Sequence, residues 1–207
     1  MPTSLLRALQ LRLPIVQGPM TGSDTPALTA AVSGAGALGM IGAGMCSPAA
    51  ISEAAAAVRR QTHRPFGINL FVQNTPTPDA AVVAQALERL APLYAELGLP
   101  VALPARWCED FGAQFEALLA ARPAVASFTF GILASAEVAR LKAAGCYVIG
   151  TATTVAEALA WAEVGADAVC ASGMEAGGHR GSFLGDFAAS MVGTLALVPQ
   201  CVNALRP

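Results

Sequence analysis

Short apolar runs rich in β-formers recur at residues 15–16, 38–41, 66–71, 124–130, 147–149 and 168–170, and amphipathic or alanine-rich stretches separate them. Strand and helix patterns alternating at intervals of roughly 20 to 30 residues predict parallel βα units and an α/β fold. Helix starts are marked by Asp24 or Thr25 ahead of Pro26 and by Ser47 ahead of Pro48, each a capping residue followed by proline at the first helical position. Thr154-Val-Ala-Glu157 reads as a capping box. Val83, Leu87, Leu90, Tyr94 and Leu97 fall on one helical face, which predicts a helix packed against the sheet. The interval between the third and fourth runs is the longest; it predicts an insertion or extra short helices around residues 98–110, with Trp107 anchoring the segment rather than lining a substrate mouth. A final helix is expected from near Thr194, with Pro199 in its first turn or kinking it.

A chain of 207 residues can bury one large core or two small ones. Its 55% hydrophobic and 13% charged content favours one core, and the dominance of small and aliphatic residues over aromatics suits parallel strands buried on both faces. About six βα units are counted, whereas a closed (β/α)₈ barrel has eight strands and about 250 residues. The barrel is therefore expected to be open, or the polypeptide to be a fragment.

A net charge of −2 supplies no basic field, and no run of Lys or Arg occurs, so nucleic acid is not an expected partner. Arg7 and Arg12 interrupt the apolar N-terminal stretch, which lacks the continuous core of a signal peptide. The uncharged span 25–52 carries five glycines, Pro26 and Pro48 and reads as buried elements joined by turns, not as a membrane helix. Cys46, Cys108, Cys146, Cys170 and Cys201 are widely spaced and odd in number, with no zinc-type spacing; they read as reduced thiols of a cytoplasmic protein.

Candidate chemistry lies just past two of the apolar runs. Gly173, Gly177, Gly178 and Gly181 follow the run ending at Cys170, and Gln17-Gly-Pro-Met20 follows the first run. Glycine loops at strand ends let backbone N–H groups approach an anion, most simply the phosphate of a cofactor. His179 and Arg180 follow the glycine pair, so a strand end, glycines and a cation coincide. His63, between a helix and the third run, reads as a solvated residue on the opposite face.

Gln17-Gly-Pro-Met20, Gly67-Ile-Asn-Leu-Phe71, Ser127-Phe-Thr-Phe-Gly131, Gly150-Thr-Ala-Thr-Thr-Val155 and Glu175-Ala-Gly-Gly-His-Arg-Gly181 together resemble, in order and spacing, the nitronate monooxygenases, also called 2-nitropropane dioxygenases. The resemblance covers essentially the whole chain. It implies a TIM-barrel flavoprotein that uses FMN and O₂ to oxidise alkyl nitronates to carbonyl compounds and nitrite, here as a single FMN-binding domain over residues 1–207 that lacks the last two βα units. Carried over by motif, Pro19 and Met20 would lie against the flavin ring, Asn69 would hydrogen-bond its polar edge, and Gly177 and Gly178 would approach the phosphate. His179 would position loop or ligand more than transfer protons. Read without the family, Gly18 and Pro19 equally end a strand, and a lone Asn69 equally satisfies backbone groups at a strand end.

The chain departs from the family pattern in three respects. Thr129 stands where the family has a histidine assigned as the base for neutral nitroalkanes, and a hydroxyl cannot fill that role near neutral pH. Ser172 stands where a flavin-contacting glutamine is usual and is too short for that contact without water. The final two strands of the barrel are missing, which predicts weak FMN binding and unpaired sheet edges open to self-association or to a complementing C-terminal polypeptide. Two other functions stay open at this point: an NAD(P)H-dependent FMN reductase of the quinone or enoyl-thioester type, and a non-catalytic truncated remnant.

Overall fold

The computed structural model describes residues 5–206; Met1 to Ser4 of the N-terminal stretch, and Pro207, lie outside the described residues. The elements run α1 (Leu5–Ala8), α2 (Pro26–Gly34), β1 (Gly39–Gly42), α3 (Pro48–Gln61), β2 (Phe66–Phe71), α4 (Ala80–Glu96), α5 (Phe111–Ala121), β3 (Val125–Thr129), α6 (Ser135–Ala143), β4 (Tyr147–Ala152), α7 (Val155–Glu163), β5 (Ala168–Ala171) and α8 (Thr194–Ala204), with a 3₁₀ turn at Ala188–Ser190 before α8. The five strands form one parallel sheet in sequence order. Each crossover to the next strand passes through helix, the connection parallel neighbours require.

Five of the six predicted strands form. The first run does not: residues 15–16 contribute only an isolated parallel bridge between Val16 and Leu38. Pro14 and Pro19 bracket that run and remove backbone donors on either side, which limits it to a single bridge. The capping predictions hold for α2 and α3. Thr25 accepts from Leu28 N at 3.1 Å and Ser47 accepts from Ala50 N at 3.2 Å, while Asp24 is employed elsewhere.

Residue parity along the strands separates two faces. Ile68, Leu70, Ala126, Phe128 and Val148 point outward into the main core, where they meet Ile51, Val58, Leu118, Leu141 and Trp161 from the covering helices. Gly150 lets α7 close on the sheet: a Cβ there would lie 2.0 Å from Trp161 Cδ2, and the indole Nε1 donates to Thr151 O at 3.1 Å. On the inner face, Met40, Val125 and Ile149 form a second cluster with Leu9, Leu11 and Leu38 at the amino-terminal end of the sheet.

The helix predicted from Val83, Leu87, Leu90, Tyr94 and Leu97 exists as α4, but it does not pack on the sheet. None of its residues is buried, and Leu97 is 71% exposed. Val83 and Leu87 instead line an apolar notch together with Leu103 and Trp107, and Trp107 is 46% exposed. The 98–107 segment contains no helix. The place beside α3 and β2 is taken by α5, which buries Phe115 and Leu118.

Candidate active site

Above the apolar inner cluster the same face turns polar. Asn69 pairs with Ser127 across β2 and β3, and Ser127 with Ile149 across β3 and β4, so Asn69, Ser127, Thr129 and Thr151 all lie on the inner face toward the carboxyl ends of their strands. Their side chains join into one line. Asn69 Nδ2 donates to Ser127 Oγ at 2.9 Å and reaches Thr129 Oγ1 at 3.4 Å, and Thr129 Oγ1 lies 3.3 Å from Thr151 Oγ1. Asn69 is 2% exposed, so this pairing removes the cost of burying its amide hydrogens. Its Oδ1 has no donor among the described residues.

Three loops gather at this end. The first, after the Val16 bridge, is tethered by Asp24, whose Oδ2 accepts from Met20 N at 2.8 Å and from Gly42 N at 2.7 Å. Gly42 pairs with Asn69 in the sheet, so Pro19 and Met20, both exposed, stand over the strand next to the asparagine. Gln17 braces the same loop by hydrogen bonds to Met40 N and O.

The second gathering point follows β3, where Phe130 adopts φ +71°, a left-handed conformation uncommon for a bulky residue. Its ring packs edge-on to Phe71 at 4.9 Å and to His179 at 6.3 Å between centroids. This brings His179 of the glycine loop to the end of β3.

The third loop is the glycine segment itself. A Cβ on Gly181 would lie 3.0 Å from Thr129 Cγ2 and 3.8 Å from Thr151 Cγ2, so glycine lets the segment cross directly over the two threonines. Gly177 and Gly178 are exposed, a Cβ on either would meet nothing within 4 Å, and Gly178 has φ +83°. Open space above two glycines, one in the conformation that glycine adopts without strain, is what close approach of an anion to backbone N–H groups requires.

Arg180 does not serve as the expected free cation of that loop. Its Nη1 donates to Ser172 O at 2.6 Å, and its Nη2 donates to Thr153 O at 3.2 Å and to Ser190 O. Its Nη groups are satisfied by these backbone carbonyls. Ser172 thus enters the site through its carbonyl, and its N–H donates to Ala152 O at 2.8 Å.

Several residues of this end escaped the sequence reading. Asp24 looked like a helix cap, and Glu157 like half of a capping box. Thr154 Oγ1 does accept from Glu157 N at 3.2 Å, but the Glu157 carboxylate bypasses Thr154. It takes Thr153 N and Thr153 Oγ1 at 2.6 and 2.7 Å, and Phe183 N and Leu184 N at 2.7 and 3.0 Å. Glu175 is a third case. It accepts from Thr194 N at 2.9 Å, and hydrogen bonds from its own and the Thr194 backbone hold its carboxyl below the ordinary value of 4.5. Only the Asp and Glu residues near strand ends hint at such roles in sequence.

The family model described as nitronate monooxygenase matches residues 3–206. A probable nitronate monooxygenase of Staphylococcus aureus is 39% identical over 204 residues, covering 97% of this chain and 57% of the relative. The crystal structure of nitroalkane oxidase from Streptomyces ansochromogenes superposes with a TM-score of 0.85 at 37% identity, covering 96% of this chain and 58% of that one. FabK from Thermotoga maritima superposes with a TM-score of 0.69 at 27% identity, covering 97% and 50%. The chain therefore spans somewhat more than half the length of the curated relatives it matches, and its five parallel strands form part of a TIM-barrel fold. A family match over nearly every residue, joined to a polar strand-end layer beneath a glycine loop, places this chain in the nitronate monooxygenase family.

Proposed function

We propose that this chain acts as one FMN-binding domain that oxidises preformed alkyl nitronates with O₂ to carbonyl compounds and nitrite, and that it acts poorly on neutral nitroalkanes. The observation carrying this reading is Thr129. It lies in the polar layer under Gly181, hydrogen-bonded to Asn69 and Thr151, and among the described residues no titratable side chain hydrogen-bonds to it. Removing an α-proton needs a base with a pKa near the working pH, and a threonine hydroxyl is not one. A nitronate is already an anion and needs no such step.

FMN fits the residues present. The open backbone at Gly177 and Gly178 suits the phosphate, the free Asn69 Oδ1 suits a ring N–H, and Pro19 and Met20 offer a small apolar edge to the ring. His179, set edge-on to Phe130, would orient the ligand. Ser172 contributes backbone and not the side-chain contact of a longer residue. When bound, the flavin supplies the redox chemistry; the protein's own part is to hold the nitronate against the Asn69 and Thr129 layer and limit water there. The proposed compartment is the cytoplasm, where its five free thiols stay reduced, and no helix among the described residues is long and apolar enough to cross a membrane.

The test compares turnover of a nitronate and of its parent nitroalkane, kept below its pKa, by the flavin-loaded chain. Nitronate turnover with little nitroalkane turnover is expected, and Thr129→His should raise the latter by about a hundredfold, the scale of general-base catalysis. Equal turnover of both forms by the unaltered chain overturns the proposal. The likeness to FabK favours a second reading, an NAD(P)H-dependent flavin reductase. Anaerobic bleaching of bound flavin by NADH or NADPH selects it over the first; failure of added FMN to give any bound flavin band selects a non-catalytic remnant.

A further inference from the structure

The end of β4 is braced from both sides by two charged residues that do not pair with each other. Glu157, fully buried, takes the N–H and hydroxyl of Thr153, while Arg180 takes the Thr153 carbonyl. Glu157 reaches from there into the segment 173–193, and Arg180, a member of that segment, reaches out of it to Ser172 and across it to Ser190. Glu157 receives the N–H groups of Phe183 and Leu184, and Arg180 binds the carbonyls of Ser172 and Ser190. A hydroxyl chain closes the frame: Thr153 Oγ1 lies 2.8 Å from Ser182 Oγ, which lies 2.7 Å from Ser190 Oγ. Ser190 is 1% exposed, and Glu175 ties the start of the segment to Thr194 N just past its end.

Charge-assisted bonds to backbone are the stronger kind, and a buried charge persists only when so paired. Here a buried carboxylate and the two Nη groups of a guanidinium, whose buried Nε finds no partner among the described residues, fix a loop with no other regular structure than a 3₁₀ turn. The glycine pair at 177–178, by contrast, faces open space, where an added Cβ would meet nothing within 4 Å. The frame grips the segment on both sides of the glycines and leaves them open.

We infer that Arg180 and Glu157 are positioning residues that hold the 173–193 segment in its anion-accepting shape before any ligand arrives, so that the phosphate of FMN meets a preformed cradle. The consequence for FMN rests on the function proposed above; the ordering of the segment does not. Neither residue touches the phosphate. Arg180 acts through the Ser172 and Ser190 carbonyls, and Glu157 through the Phe183 and Leu184 amides.

Hydrogen exchange on the full chain without flavin tests the ordering directly. Peptides spanning 182–190 should be protected, and in Arg180→Ala and Glu157→Gln they should exchange about tenfold or more faster, while β2 and β3 peptides stay unchanged. Fast exchange of 182–190 in the unaltered chain overturns the inference, whatever flavin does. Binding of FMN and of riboflavin, which lacks the phosphate, then separates positioning from general stability. Arg180→Ala should weaken FMN by about tenfold or more and riboflavin by less than about twofold, with Arg180→Lys intermediate. Equal weakening of both ligands overturns the role. If the unaltered chain binds neither, the FMN reading falls and the exchange data alone decide the positioning. Should Arg180→Ala fail to fold, Ser182→Ala removes a single link of the frame. It should speed 182–190 exchange a few-fold, and no change there also counts against the inference.

Discussion

Asn69 commits its amide hydrogens sideways, to Ser127 and Thr129, and keeps its carbonyl oxygen free. A side chain placed this way gives the layer its order and still offers one acceptor to a ligand. Asn69→Leu keeps the volume close but removes both donors and the acceptor. Loss of a buried hydrogen bond that leaves polar partners behind costs about 1–3 kcal/mol, and that loss should appear in urea unfolding together with weaker flavin binding. Full stability in the variant would show that the hydroxyls of Ser127 and Thr129 do not depend on it. The motif positions of Asn69 and Thr129 were legible in the sequence, because strand-end polar residues stand out against apolar runs. The work of Asp24, Glu157 and Arg180 was not, since each bonds to backbone 18 to 27 residues away and that pairing exists only once the strands are side by side.

Helices show the same division at the next scale up. Periodicity gave α4 its correct apolar face, but could not tell which surface meets that face; α5, with Phe115 and Leu118, holds the place against the sheet. The proline-led starts of α2 and α3 were readable because a cap is a local bond. The start of α8 was readable only in part. Its N-cap is Gly193, which offers no side chain, and Glu175 supplies the missing acceptor from 19 residues away. A carboxylate whose folded pKa is depressed stabilises the fold above its unfolded value and loses that contribution as pH falls through the folded value. Amide protection in the first turn of α8 should therefore hold from pH 7 down to the ordinary carboxylate value of 4.5 and weaken below it, once Glu175 protonates. Exchange rates measured against pH check this, and Glu175→Gln should flatten the dependence for α8 while leaving that of the Glu116–Arg140 pair between α5 and α6 in place.

For the molecule as a whole, β5 is last in the strand order and forms an edge of the sheet. Cys170 on its inner side is exposed, no residue of β5 is buried, and the next helix presents Leu195, Val198 and Val202 to solvent, with Leu195 93% exposed. These three are spaced i, i+3 and i+7, one face of α8. At the opposite rim, Leu13, Ile15 and Val16 are exposed beside the single bridge to Leu38. An unpaired parallel edge flanked by an apolar helix face is a template for association. The chain should therefore form concentration-dependent oligomers at micromolar levels, seen as a shift in sedimentation or elution. Because the face belongs to α8 and not to the core, Leu195→Glu with Val202→Glu should reduce association and leave the helical signal in circular dichroism unchanged. Glycine-loop exchange should stay unchanged too, since the Glu157 and Arg180 frame lies between α7, β4 and the loop and makes no use of that face. A chain that remains monomeric at high concentration would overturn the prediction.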